Sequence, residues 1–111
     1  SMPKMPRRDP SFGNLLRTMS RRGFFETLEF IAQNQPVNYS TIKEYDTKNR
    51  IVASRGSVTK IISCLGEIGA IKRTVIDSKP IRTLYAATEK GHRLLSKLQE
   101  IREIAGSQDP A

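Results

Sequence analysis

Cysteine and histidine are almost missing from this sequence. One cysteine, Cys64, and one histidine, His92, allow no disulfide framework and no set of soft ligands for zinc. No apolar run approaches the roughly 20 residues of a membrane span. No apolar core follows the basic N-terminus as it does in a secretory leader. A glycine loop that could cradle phosphate, paired carboxylates at acid/base spacing and a nucleophile with its base are all lacking, so an enzyme is the least supported class. The expectations are no metal, no cofactor, no membrane and a cytoplasmic location. Internal repeats are absent, and low complexity is confined to the first few residues.

Acidic residues are also scarce, 11 against 19 Lys/Arg, for a net charge of +8. The excess is unevenly spread. Residues 1–23 carry six Lys/Arg against one acid and residues 48–93 carry ten against three, whereas residues 24–47 hold one against four and residues 94–111 two against three. Clustered cations are the footprint of a polyanion binder, because Lys and Arg displace counterions condensed on phosphates. A merely soluble basic surface would not predict where the charge falls.

With 111 residues and 37% apolar content, the chain suits one domain that buries its own core. Ser1 ahead of Met2 is read as an expression remnant and set aside. Residues 1–9 hold prolines and basic residues without apolar periodicity and are expected to form a flexible basic arm. Asp9 and Pro10 then supply a cap and a first-turn proline for a helix carrying Phe12, Leu15, Leu16 and Met19 on one face. After a break near residues 21–23, Phe24, Leu28 and Ile31 define a second helix that ends at Pro36. Phe30 points off its apolar face and is expected under the N-terminal helix or against a second subunit. A third helix starts at Asn38 or Ser40, or at Thr41 with Glu44 in capping-box spacing, and turns Ile42 and Tyr45 inward. Residues 46–53 read as a connector that is first polar and basic, then apolar.

Residues 54–73, SRGSVTKIISCLGEIGAIKR, are the most informative stretch. At 3.6 residues per turn, Val58, Ile61, Ile62, Leu65 and Ile68 share one arc of a helix over residues 55–68, and Arg55, Gly56, Thr59, Lys60 and Ser63 the opposite arc. Ser54 fits an N-cap and Gly69 a C′ position with positive φ. Cys64 lies between the arcs, either a small hydrophobe or an oxidisable switch. Residues 71–76 and 81–86 are β-branched and bracket Asp77-Ser78-Lys79-Pro80, a hairpin flanked by Lys72, Arg73, Lys79 and Arg82. Thr88 caps a last helix with Leu94, Leu98, Ile101 and Ala105 in a stripe, stopped by Gly106. The fold class is mainly α with a small β-hairpin.

Three runs, Ser54-Arg55-Gly56-Ser57-Val58-Thr59-Lys60, Glu67-Ile68-Gly69-Ala70-Ile71-Lys72-Arg73 and Leu84-Tyr85-Ala86-Ala87-Thr88-Glu89-Lys90-Gly91, together with Leu65, resemble winged helix-turn-helix regulators of the broad MarR, PadR and HxlR kind. The resemblance spans about residues 24–98, and its motifs are patterns of residue types, specific in combination and weak singly. It implies a winged helix-turn-helix with an extra N-terminal helix and a long C-terminal helix. It further implies a dimeric, nucleoid-associated transcription factor whose partner is double-stranded DNA. Two departures stand out: the connector after Tyr45 is longer than a tight turn, and the chain is short for a fold with an effector cleft between two lobes.

Arg55 is placed to read bases, since recognition helices lead with their N-terminal residues, while Gly56, Thr59, Lys60 and Ser63 are small or charged enough to enter a major groove. An ordinary solvated helix face would mix in acids, and here only Glu67 is present, at the far end. Ser57, Arg21, Arg22 and the helix start near Ser40 are candidate phosphate contacts. Lys79 and Arg82 would follow the backbone or minor groove, or simply discourage edge pairing. Lys48 and Arg50 either clamp phosphate or are solvated loop. The stripe on the last helix would leave an apolar patch in a monomer, so pairing with the N-terminal helix of a second copy is expected, against packing on its own domain. Residues 10–106 then form the DNA-binding domain with terminal dimerisation helices, and residues 107–111 a disordered tail. The rival readings are a protein-interaction winged helix in a larger assembly and an architectural DNA binder without sequence preference.

Overall fold

Asp9 opens the first helix, α1 (Pro10–Met19), by accepting the Phe12 N–H, and Pro10 occupies the first turn, where a missing N–H costs nothing. The Ser11 hydroxyl and the Phe12 N–H hold the Asp9 carboxyl below its usual range, since both bonds favour the charged form. The computed structural model describes residues 2–7, 9–52 and 57–107, with Ser57 described by its backbone alone. α2 (Phe24–Asn34), β1 (Val37–Asn38), α3 (Tyr39–Asn49), α4 (Ser57–Glu67), β2 (Ile71–Ile76), β3 (Arg82–Ala87) and α5 (Glu89–Gly106) follow in order.

Periodicity places the core. Phe24, Leu28 and Ile31 of α2 are fully buried and meet Ile42 of α3, Val58, Ile61, Ile62 and Leu65 of α4, Ile71 of β2 and Leu95 of α5. The expected inner arc of α4 is therefore inside, with Ile68 half-buried at its end. Polar contacts dock α5 on α2: Gln99 donates to Glu29 at 3.0 Å, and Arg102 lies 3.9 Å from Glu29 and 4.9 Å from the centre of the Phe25 ring.

The sequence-based expectations need five corrections. Phe30 neither supports α1 nor waits for another copy, because it stacks on Tyr45 of α3 with ring centres 4.1 Å apart. α3 does not stop near Tyr45. Of its possible starts, Asn38 is the cap, accepting from Thr41 at 2.8 Å, and the helix runs on through residues read as connector to Asn49. A third strand, β1, pairs antiparallel with β3 (Val37 with Tyr85, Asn38 with Leu84), giving a sheet ordered β1-β3-β2. Two residues are too few for an alternation to be read. β3 begins at Arg82, one residue later than expected, and leaves Ile81 in the wing tip. Leu94 and Leu98 pack partly on their own core, with Leu95 and Gly91 buried beside them, so the apolar stripe of α5 is free only toward its end.

The end of α4 is closed by a Schellman motif, in which Ala70 donates to Leu65 at 2.9 Å and Gly69, at φ 77°, donates to Gly66 at 3.0 Å. The Ala70 carbonyl accepts the Thr88 N–H at 3.0 Å, and the Thr88 hydroxyl donates to the Gly69 carbonyl while accepting the Gly91 N–H. Gly91 must lack a side chain, since a Cβ there would lie 1.9 Å from the Ala70 oxygen. Gly91→Ala is expected to cost about 3 kcal/mol or more, the upper part of the overpacking range. Gly66→Ala, whose Cβ would meet nothing within 4 Å, should be neutral or gain up to about 1 kcal/mol from helix propensity. Thermal unfolding of the two variants checks this pair, and equal midpoints would contradict it.

Candidate nucleic-acid interface

The outer face of α4 is small, polar and cationic. Thr59, Lys60, Ser63 and Gly66 are exposed there, opposite the buried Val58, Ile61, Ile62 and Leu65. Arg55 and Gly56, together with the expected cap Ser54, lie outside the described residues, as does the side chain of Ser57. Cys64 sits half-buried at the edge of the face, as its position on the wheel required.

A cleft of about 300 Å³ separates α4 from the wing and is lined by Thr59, Ile62, Ser63 and Gly66 on one side and Ile71, Arg73 and Tyr85 on the other. Arg73 and Tyr85 thus join Thr59 and Ser63. Neither was singled out as a site residue from the sequence; only the strand register, which pairs Arg73 with Tyr85, brings them to this face. Tyr39 was missed as well. Its hydroxyl lies 2.8 Å from the Thr59 hydroxyl and fixes the start of α3 against the exposed face of α4. No local pattern could have signalled that pair.

Lys79 sits in the wing turn and Arg82 opens β3 opposite Ile76, both exposed. Between Val58 and Ala87 the sequence holds five Lys/Arg (Lys60, Lys72, Arg73, Lys79, Arg82) and two acids (Glu67, Asp77). Among the described residues the ion pairs are Lys97–Glu100 and Glu29–Arg102, so none of these five cations is neutralised by a carboxylate there. Lys48 stands apart, exposed on the last turn of α3 in a shallow groove with Tyr39, Ser40, Lys43, Glu44 and Thr47.

Arg50 and Arg22 have structural roles. Arg50 caps α3 in the left-handed region (φ 51°), its N–H donating to the Asp46 carbonyl. Arg22 donates to the Ile51 and Arg50 carbonyls at 3.0 and 3.3 Å, so its guanidinium is tied to the connector while remaining exposed. Arg21 is exposed beside it. From the other side Asp46, 2% exposed, accepts the Ile51 N–H on its carbonyl and the Val52 N–H on Oδ1, both at 3.1 Å. Its Oδ2 has no hydrogen-bond partner among the described residues. Among those residues there is also no cluster of His, Cys, Asp and Glu suited to a metal ion, and no helix is long and apolar enough to cross a membrane.

No protein-family model matches the sequence, and no curated protein matches it. Solved structures do. The reduced form of the transcriptional regulator YodB from B. subtilis aligns with a TM-score of 0.72 at 19% identity, over 89% of this chain and 92% of that one. A protein described as a MarR-family transcriptional regulator from Porphyromonas gingivalis W83 aligns at 0.68 with 16% identity, over 96% and 100%. A PadR-like transcription factor from B. fragilis aligns at 0.63 with 18% identity, over 87% and 92%. The chain therefore has the winged helix-turn-helix fold of these regulators, with five helices and a three-stranded antiparallel sheet among the described residues.

The Asp46 contacts generate a test. Asp46→Ala should cost about 2 kcal/mol, since it removes a buried acceptor and leaves the Val52 N–H unpaired. Hydrogen exchange should quicken at Val52 by local opening, beyond the smaller general increase that the lost stability causes at core amides such as Leu28. Unchanged protection of Val52 would show that the carboxylate does not hold the connector.

Proposed function

We propose that the protein is a sequence-specific double-stranded DNA-binding protein, a homodimeric transcriptional regulator acting on the nucleoid. α4 enters the major groove and the wing follows the backbone or minor groove. The observation that carries this reading is the outer face of α4, where Thr59, Lys60 and Ser63 are exposed and continuous with a wing of cations unpaired among the described residues. A major groove about 12 Å wide admits such a helix. Arg55 and Gly56 contact the bases, and Ser57 holds a phosphate. Lys79 and Arg82 bind the backbone from the wing, while Lys48 and Arg50 flank the same duplex from the end of α3. Residues 1–9 act as a basic arm, residues 10–106 as the DNA-binding domain, and residues 107–111 as a tail outside it. The likeness in fold to transcriptional regulators, none of them an enzyme by name, supports a binding function without catalysis.

Selection of bound fragments from random duplex DNA at two salt concentrations tests this. Recovery of a two-fold site with half-sites about 34 Å apart is expected. Lys79→Ala and Arg82→Ala should each reduce the salt dependence of log K by about one unit, while Arg55→Ala relaxes sequence preference at nearly constant slope. Unchanged duplex affinity in a protein lacking the charges of Arg55, Lys60 and Arg82 would overturn the assignment.

Exposed apolar residues near the two ends of the chain support self-association. Phe12 and Leu16 on α1 and Ile101 and Ile104 on α5 leave about half of their surface or more exposed. Burial of these apolar faces between two copies accounts for them. Ile104→Glu should convert a dimer to a monomer in sedimentation velocity without lowering the helix content, and a wild-type monomer at micromolar concentration would contradict the pairing.

A further inference from the structure

The wing is not simply a basic hairpin. Its tip exposes Val75 (55%), Ile76 (38%) and Ile81 (68%), while Lys79 and Arg82 stand beside them and Asp77 is the tip's single acid. Exposed β-branched residues on an edge strand invite pairing with other chains, so their presence at the tip calls for an occupant.

The register says where they point. Arg73 pairs with Tyr85, Val75 with Thr83 and Ile76 with Arg82. Paired residues share a face and successive ones alternate. Val75 therefore lies on the face of Arg73 and Tyr85, the face that lines the cleft against α4, while Ile81 stands in the tip just before β3 and is the most exposed of the three. Ile76 lies on the opposite face with Arg82.

Three side chains are far too little surface for a second copy or a protein partner, since stable protein interfaces bury about 1,200–2,000 Å². Their surroundings match a minor groove, which is about 6 Å wide, has apolar sugar edges for walls and carries phosphates along both rims. The reach also matches. β2 spans about 17 Å over its six residues, half of a duplex turn of about 34 Å, so a tip that starts beside a helix in the major groove arrives at the adjacent minor groove.

We propose that the Val75 and Ile81 tip is a minor-groove wedge that opens a flexible pyrimidine–purine step and bends the duplex, with Lys79 and Arg82 gripping the phosphates on either side. This rests on the reading of the protein as a duplex binder. Apolar wedges of this kind unstack a base step and gain a bent duplex that meets more protein surface. TA and CA/TG steps yield most readily, so the wedge adds sequence preference half a turn away from the bases read by α4.

The test uses two duplexes of about 30 base pairs that share the selected major-groove site and differ half a turn away, one with a TA step and one with a stiff A-tract. Bending is read by energy transfer between labelled ends, and unstacking by 2-aminopurine at the step. The wild-type protein should bend the TA duplex and bind it about tenfold more tightly than the A-tract duplex, a difference of about 1.4 kcal/mol. Ile81→Ser, at an exposed position, should remove the bend, the fluorescence rise and the preference while leaving the salt slope and melting temperature unchanged. Val75→Ser should weaken the same three readouts. Arg82→Ala should weaken both duplexes alike and lower the slope. Wild-type bending and preference in Ile81→Ser would overturn the wedge with DNA binding intact, whereas failure of the wild-type protein to bind any duplex would overturn the parent reading and the wedge together.

Discussion

The geometry of this protein turns on one peptide carbonyl, that of Ala70. It accepts from Thr88, lies against Gly91 where no side chain fits, and belongs to the residue whose N–H closes the end of α4. The last turn of α4, the first residue of the wing and the first turn of α5 are thereby fixed against one another within a few ångströms. The Thr88 hydroxyl ties the arrangement twice, donating to Gly69 and accepting from Gly91. The wing therefore leaves the domain at an angle set by backbone hydrogen bonds. The relation between the exposed face of α4 and the hairpin is built into the fold before any partner arrives.

A second restraint acts on the segment that follows α3. Arg22 from the turn before α2 and Asp46 from α3 hold the Arg50-Ile51-Val52 segment from opposite sides, and Gly23 at φ 92° lets that segment approach, since a Cβ there would stand 2.6 Å from Val52. Cations counted as phosphate ligands from composition alone thus divide into two groups. Arg22 serves the scaffold, while Lys60, Lys79 and Arg82 remain exposed and without a carboxylate partner among the described residues.

Much of this was legible in the residues, and the physical reason differs from element to element. α4 could be read because its burial is periodic and because Gly69 marks a left-handed cap. Thr88 and Gly91 could be read as a helix start, but the demand on Gly91 comes from Ala70, 21 positions earlier, and no local pattern carries it. The Phe30–Tyr45 stack and the Tyr39–Thr59 hydroxyl pair were illegible for the same reason, since each joins positions that meet only after the helices pack. The extension of α3 was hidden by polar residues that read as loop, whereas Asp46 is buried there by accepting backbone N–H groups of the segment that follows. On the candidate surface, Thr59, Lys60 and Ser63 followed from helical periodicity, and Arg73, Tyr85 and the apolar wing tip emerged from strand register and exposure.

Phe12 and Leu16 of α1 and Ile101 and Ile104 of α5 are exposed apolar residues that take no part in the surface formed by α4 and the wing. The claim that α4 and the wing meet nucleic acid as one surface is tested most directly by titrating the isotopically labelled protein with duplex DNA while following backbone amide resonances. The account predicts that shifts concentrate at Thr59, Lys60, Ser63, Arg73 and the wing residues Lys79 to Arg82, and leave Leu98, Ile101 and Ile104 in place. Shifts confined to α1 and α5, with α4 and the wing unmoved, would contradict it.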